Sequence, residues 1–132
     1  GAATAARVAA SKARLSFRRA DACDLPGDLG AFDAVLAANL LCRLPDPASF
    51  LDALGGGLVA PRGHVYIVSP FSWMEEYTAR GRWLSPEQLE DKMGTLGFSL
   101  KMQRPEALLI RDHARKFQFI VSHGMLFQRG AR

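Results

Sequence analysis

Cysteine is nearly missing from this chain of 132 residues; there are two, Cys23 and Cys42. Two thiols at that separation match no metal-ligand spacing and are too few for a disulfide framework. The expectation is therefore no metal site and a reducing, cytoplasmic setting. No apolar run approaches the roughly 20 residues that a membrane-spanning helix needs. The opening stretch, Gly1-Ala2-Ala3-Thr4-Ala5-Ala6-Arg7, lacks the apolar core of a secretory signal, although Arg-rich, acid-poor targeting peptides share some of its character. The formal net charge is +4 and the pI near 9.5. The cations are dispersed, with Arg14, Arg18 and Arg19 at one end and Arg111, Arg115, Lys116, Arg129 and Arg132 at the other. A nucleic-acid face needs a concentrated patch, so neither nucleic acid nor membrane is an expected partner. Internal repeats and low-complexity linkers are absent too, and the length suits one hydrophobic core, as one domain or part of one.

What is present is organised around Phe32-Asp33-Ala34-Val35-Leu36-Ala37-Ala38-Asn39. This run is too continuously apolar for a strand with one wet face, and it reads as a central parallel strand covered by helices on both sides. Asn39 closes it, at the carboxyl end where ligands bind in such sheets. Upstream, residues 1 to 13 read as a helix or the tail of one. Leu15 to Ala20 alternates enough for a short strand, and Asp21 to Gly27 forms a polar loop. Downstream, Asp46 is an N-cap and Pro47 a first helical residue, for a helix that puts Phe50, Leu51, Leu54 and Leu58 on one face and is interrupted by Gly55-Gly56-Gly57. Ala60-Pro61-Arg62-Gly63 reads as a tight turn before a strand over His64 to Pro70, which makes a right-handed βαβ crossover. Ser85-Pro86 starts a second helix that runs to about Leu96 and stops at Gly97. Phe98 to Arg104 and Phe117 to Gln128 are two late strands, an antiparallel pair linked through Ile110 to Lys116.

Four segments in this order resemble a known family. They are Asp21-Ala22-Cys23-Asp24-Leu25, the run from Leu36 through Asn39-Leu40-Leu41-Cys42-Arg43 to Pro47, the run from Ser69 to Thr78, and the tail Leu109 to Phe119. The chain is similar to the second half of a class I S-adenosylmethionine-dependent methyltransferase, and more closely to the C-terminal methyltransferase domain of ovothiol synthases. The fold implied is α/β, the C-terminal portion of a Rossmann-like domain, with parallel strands, crossover helices and a closing antiparallel pair. Residues 1–132 would be a partial methyltransferase domain, from the third strand onward. The activity implied is methyl transfer from S-adenosylmethionine to a ring nitrogen of mercaptohistidine. An upstream sulfoxide synthase domain of the same polypeptide, which holds the iron, is the implied partner. The chain departs from the family in having neither the glycine-rich loop nor the ribose-binding acid. Gly55-Gly56-Gly57 does not replace the loop, since it ends a helix instead of joining a strand to one. Cys42 stands where related sequences often carry Asp.

Carried over residue by residue, the resemblance implies a cofactor site of Asp21, Ala22, Asn39 and Leu40, with Asp21 accepting from the adenine amino group. Each has a plainer reading, a β-to-loop turn for Asp21 and a backbone-capping amide for Asn39. Phe71, Trp73, Glu75, Glu76, Tyr77 and Arg43 are the candidate substrate residues, and Asn39 and Tyr77 the candidate catalytic ones. Aromatic faces suit an imidazole and a sulfonium equally, and they also suit ordinary lid packing. Glu75 or Glu76 would meet an amino group, or simply be solvated; Arg43 would meet a carboxylate, or cap a helix. His113 and His123 have no partners at ligand spacing and read as structural. Methyl transfer needs alignment more than acid or base, so the lack of a catalytic dyad does not exclude it. Two alternatives stand beside this reading, and nucleic-acid binding through the basic ends, which a steep salt dependence would reveal, is a more distant third. One is a non-catalytic, methyltransferase-like interaction module; the other is a methyltransferase for another histidine-containing or small-molecule acceptor.

Overall fold

The computed structural model describes residues 14–132, and the helix expected over residues 1 to 13 lies outside them. One four-stranded sheet dominates the described residues. Its strands are β1 (Phe32–Ala38), β2 (Val59–Ser69), β3 (Phe98–His113) and β4 (Lys116–Arg129), in the spatial order β1-β2-β4-β3. The β1 and β2 strands run parallel, and β4 is antiparallel to both β2 and β3. Helix α1 (Pro47–Ala53) joins the parallel pair, and α2 (Pro86–Thr95) precedes the closing hairpin.

Local chemistry accounts for the helices much as expected. The Asp46 carboxylate accepts from the Ser49 backbone N–H, and Pro47 occupies the first helical position. After Ala53 the chain widens into a single π turn over Leu54–Leu58, and Gly57 leaves it at φ 125°, a conformation that favours glycine. The guanidinium of Arg129, at the end of β4, donates to the carbonyls of Val59 and Gly55 and ties this turn to the sheet. Helix α2 has a full capping box: Ser85 Oγ accepts from Gln88 N at 3.1 Å, and Gln88 Oε1 accepts from Ser85 N at 2.9 Å. It ends at Thr95, with Gly97 at φ 90° as its stop.

The core is built from one face of the sheet and the inward faces of both helices. Ala37, Val65, Ile67, Met125 and Phe127 meet Phe50, Leu51 and Leu54 from the α1 region and Leu89 and Met93 from α2, all buried. Leu58, expected on the same helix face, is only partly buried because the π turn carries it outward.

Four expectations are corrected. The organising strand is an edge strand, since β1 has β2 as its one neighbour among the described residues. It is covered on one face: Ala37 is buried, whereas Leu36 is 68% exposed. Residues 15–20 form no strand, and Phe17 is 84% exposed. An extended segment is held by its ladder, and the described residues offer this one no strand partner; the isolated bridge that follows it joins Asp21 to Asp24. Ala60 to Gly63 is an excursion inside β2, with Val59 paired to Phe32 and His64 to Ala34 on either side and Arg62 at φ 64°. Finally, the closing hairpin is far longer than expected. β3 continues to His113 and turns directly into β4 at Lys116. Pro105 sits inside β3 without breaking it, because β3 is an edge strand and an outward proline there forfeits no ladder bond.

Candidate functional site

Two neighbouring parallel strands, β1 and β2, end side by side, and each is followed by a residue in the left-handed region. Asn39 has φ 54° after β1, and Phe71 has φ 51° shortly after β2. Neither is glycine, so each conformation costs on the order of 1 kcal/mol and persists only where its surroundings hold it. They do so here. Asn39 N donates to Val68 O at 2.7 Å, and its side-chain Oδ1 accepts from Ser122 Oγ at 3.1 Å. Phe71 N donates to Ser69 Oγ at 3.1 Å. Ser69 and Ser122 are buried, and neither figured among the residues expected from sequence. Their signal was present only as polar residues inside apolar strands.

The segment after Asn39 folds as a short 3-10 turn, Leu41–Arg43, with Leu41 and Cys42 buried. Arg43 is thereby turned onto the loop that follows β2. Its Nη1 donates to Ser72 O at 2.9 Å, and its guanidinium lies 5.2 Å from the centroid of the Tyr77 ring. Thr78, buried, donates to Leu44 O at 2.6 Å and closes the same junction. The structure thus brings Asn39, Arg43, Phe71 and Tyr77 together around the carboxyl ends of β1 and β2. Other candidates are engaged elsewhere. Trp73 packs against the core and its indole N–H donates to Leu84 O at 2.8 Å, which is a structural role. Glu75 pairs with Arg80 at 2.5 Å, and Glu76 is exposed.

Asp21 and Ala22 approach from the loop before β1. Asp21 Oδ1 accepts from Cys23 N at 2.9 Å, an Asx turn, while Oδ2 takes no hydrogen bond among the described residues. Ala22 and Leu40 line a single open, apolar groove of about 370 Å³ that continues along β1 past Leu36 to Phe32. A larger cleft of about 440 Å³, between the loop at Leu25 to Ala31 and the glycines ending α1, lies away from the carboxyl ends of the strands. A flat apolar wall beside a carboxylate fits the adenine end of S-adenosylmethionine. The described residues offer no glycine-rich turn from strand to helix that would cradle its ribose and methionine.

On the far side of the sheet, three polar groups cross β2, β4 and β3. The Tyr66 hydroxyl donates to Glu106 Oε1 at 2.5 Å, and Arg104 Nε donates to the same oxygen at 2.5 Å. Burial, followed by the bond to Glu106, pushes the Tyr66 phenol up; the bonds from Tyr66 and then Arg104 hold the Glu106 carboxyl down. No group of three or more metal-ligating side chains occurs among the described residues, and none of their helices is long and apolar enough to cross a membrane.

Comparison with known proteins bears on this arrangement. A family described as "Methyltransferase domain" matches residues 1–67. No curated protein matches the chain. Solved structures do, at low identity. One comes from work on the conversion of a disulfide bond into a thioacetal group during echinomycin biosynthesis; it is 20% identical with a TM-score of 0.66, and the match covers 98% of this chain and 62% of that one. The [4+2]-cyclase SpnF is 16% identical with a TM-score of 0.65, over 99% of this chain and 62% of its own. A methyltransferase from Methanosarcina mazei, described as S-adenosylmethionine-dependent, is 17% identical with a TM-score of 0.58, over 86% of this chain and 66% of its own. The chain therefore spans just under two thirds of the length of these structures. A mixed sheet with this strand order and a ligand edge at its parallel carboxyl ends defines the Rossmann-like fold of class I methyltransferases. The chain belongs to the methyltransferase domain family, for which S-adenosylmethionine is the implied methyl donor.

Proposed function

We propose that this chain is the acceptor-side portion of an S-adenosylmethionine-dependent N-methyltransferase that methylates a ring nitrogen of mercaptohistidine in ovothiol synthesis. One observation carries the placement of the site: two non-glycine residues, Asn39 and Phe71, are held in left-handed backbone at the ends of adjacent parallel strands. The choice of acceptor rests on the resemblance of the runs Leu36 to Pro47, Ser69 to Thr78 and Leu109 to Phe119 to ovothiol synthases.

In this reading S-adenosylmethionine supplies an electrophilic methyl group, and the chain's own residues orient the reactants. Ala22 and Leu40 form the wall for the adenine ring, and Asp21 Oδ2 is available to its amino group. Asn39 marks the path toward the methyl group. Tyr77, braced by Arg43, and Phe71 bound the space for a flat imidazole. Alignment of this kind is worth several kcal/mol in an in-line displacement, and a neutral imidazole needs no strong base to attack. The ribose and methionine would be held by a glycine-rich segment upstream, and a sulfoxide synthase domain on the same polypeptide would deliver the substrate. A cytoplasmic location belongs to the same proposal.

A second reading is favoured by β1, which has β2 as its one neighbour among the described residues and whose Phe32 and Leu36 side chains stand 43% and 68% exposed. An unpaired apolar edge is also what a non-catalytic interaction module would present. Calorimetry with S-adenosylhomocysteine separates the two, on this chain and on a version extended upstream in its reading frame. Binding by the extended form alone supports the methyltransferase; no binding by either form leaves the interaction module.

A further inference from the structure

β4 delivers two adjacent polar residues to the same end of the sheet, on opposite faces. Ser122 is taken up by Asn39, whereas His123 turns to Gln103 on β3. His123 pairs in register with Ser69, the last residue of β2, and with Pro105 on β3. Its Nε2 lies 2.7 Å from Gln103 Oε1. An amide oxygen only accepts, so with the oxygen assigned toward the ring, Nε2 carries the hydrogen and Nδ1 the lone pair. The ring meets Phe71 edge to face, with centroids 6.0 Å apart and planes at 66°. Phe71 is itself the strained residue beyond β2, so the imidazole is fixed from two sides at the candidate site. Among the described residues Nδ1 takes no side-chain bond within the site, and the ring lines an open cavity of about 520 Å³ with Gln103, Pro105 and Val121.

We propose that His123, oriented by Gln103, is the proton acceptor for a methyl acceptor that bears its own N–H. The proposal rests on the methyltransferase reading above. The acceptor nitrogen's lone pair forms the new N–CH3 bond as the sulfonium C–S bond breaks, and that bond's electron pair stays on sulfur as a neutral thioether. The acceptor is left cationic. Its N–H proton passes to Nδ1 of His123, and the imidazolium then releases it to water.

Two measurements test this. The first is the 15N spectrum of the His123 ring in this chain, expected to show Nε2–H in the parent and a mixture of tautomers in Gln103→Leu. A parent ring protonated at Nδ1 instead would overturn the orientation. The second is steady-state turnover of the full-length protein with S-adenosylmethionine and mercaptohistidine. His123→Asn is expected to lower kcat by about 100-fold, the scale of general base catalysis, and to flatten the ascending limb of the pH–rate profile. S-adenosylhomocysteine affinity stays unchanged in that variant, and Gln103→Glu retains the activity that Gln103→Leu loses. If the parent turns over and His123→Asn matches its kcat and pH profile, the His123 proposal alone fails. If the parent neither binds S-adenosylhomocysteine nor turns over, the methyltransferase reading has failed and this proposal falls with it.

Discussion

Ser122 Oγ donates to Asn39 Oδ1 at 3.1 Å, joining residues 83 apart in the chain. The bond crosses the end of β2 and pins the residue that ends the first parallel strand to the strand that closes the sheet. Ser122→Ala would leave the Asn39 carbonyl without its partner, and a net loss of about 1 kcal/mol is expected. Asn39→Gly loses the same bond but relieves the left-handed backbone, so its stability is expected within about 0.5 kcal/mol of the parent. Urea unfolding of both variants checks the pair. A site role for Asn39 requires in addition that Asn39→Gly weaken S-adenosylhomocysteine binding in the extended protein while the fold is retained.

Gly124 is glycine because Tyr66 lies flat across it. A Cβ at residue 124 would overlap the Tyr66 hydroxyl and ring. In Gly124→Ala the phenol is forced off Glu106, and a destabilisation of about 2 kcal/mol is expected, of the size seen for overpacking. Tyr66→Phe combined with Gly124→Ala should not recover the loss, since the ring carbon also lies too close. Thermal unfolding of the single and double variants decides this.

The polar trio on that face gives a signed pH dependence. Tyr66, then Arg104, depress the Glu106 carboxyl below 4.5, so its contribution to stability is present above pH 4.5 and is lost as pH falls through the lower, folded value. Tyr66 is raised above 10.0, chiefly by burial, so its contribution is present below pH 10 and is lost as pH rises through the higher, folded value. Glu106→Gln should make the acid-side slope shallower, leaving the share of Asp46, which the Ser49 hydroxyl also holds down, and Tyr66→Phe should make the alkaline one shallower. Urea midpoints measured from pH 3 to 11 would show both.

One strand carries two aromatic residues of opposite fate. Phe127 is fully buried, and Phe119, on the same face of β4 but out along the hairpin, is 69% exposed. Phe127→Ala is expected to cost about 3 to 5 kcal/mol and Phe119→Ala less than about 0.5. Equal costs in denaturant unfolding would mean that the hairpin face is packed against something in solution.

The local grammar of the chain was readable without coordinates. Asp46-Pro47 and Ser85-Pro86 are helix starts because a short polar side chain satisfies an orphan N–H and proline pre-sets the first turn. Gly97 is a stop because few other residues tolerate its positive φ. The β-rich runs at Phe32 and His64, and their parallel pairing around α1, followed from composition and from the helix between them. What depended on remote partners was not readable. The apolar run of β1 says that the strand belongs among neighbours, yet only the sheet shows that among the described residues its one neighbour is β2. Leu15 to Ala20 has a strand's composition and no strand to bind among the described residues. The reach of the hairpin was hidden because Pro105 and the charges around it look like a break until β3 is known to be an edge. Trp73 resembles a substrate aromatic until its N–H is found on Leu84 O. The partners of Asn39 and His123, Ser122 and Gln103, are set by register across the sheet, and register is a property of paired strands that no single segment contains.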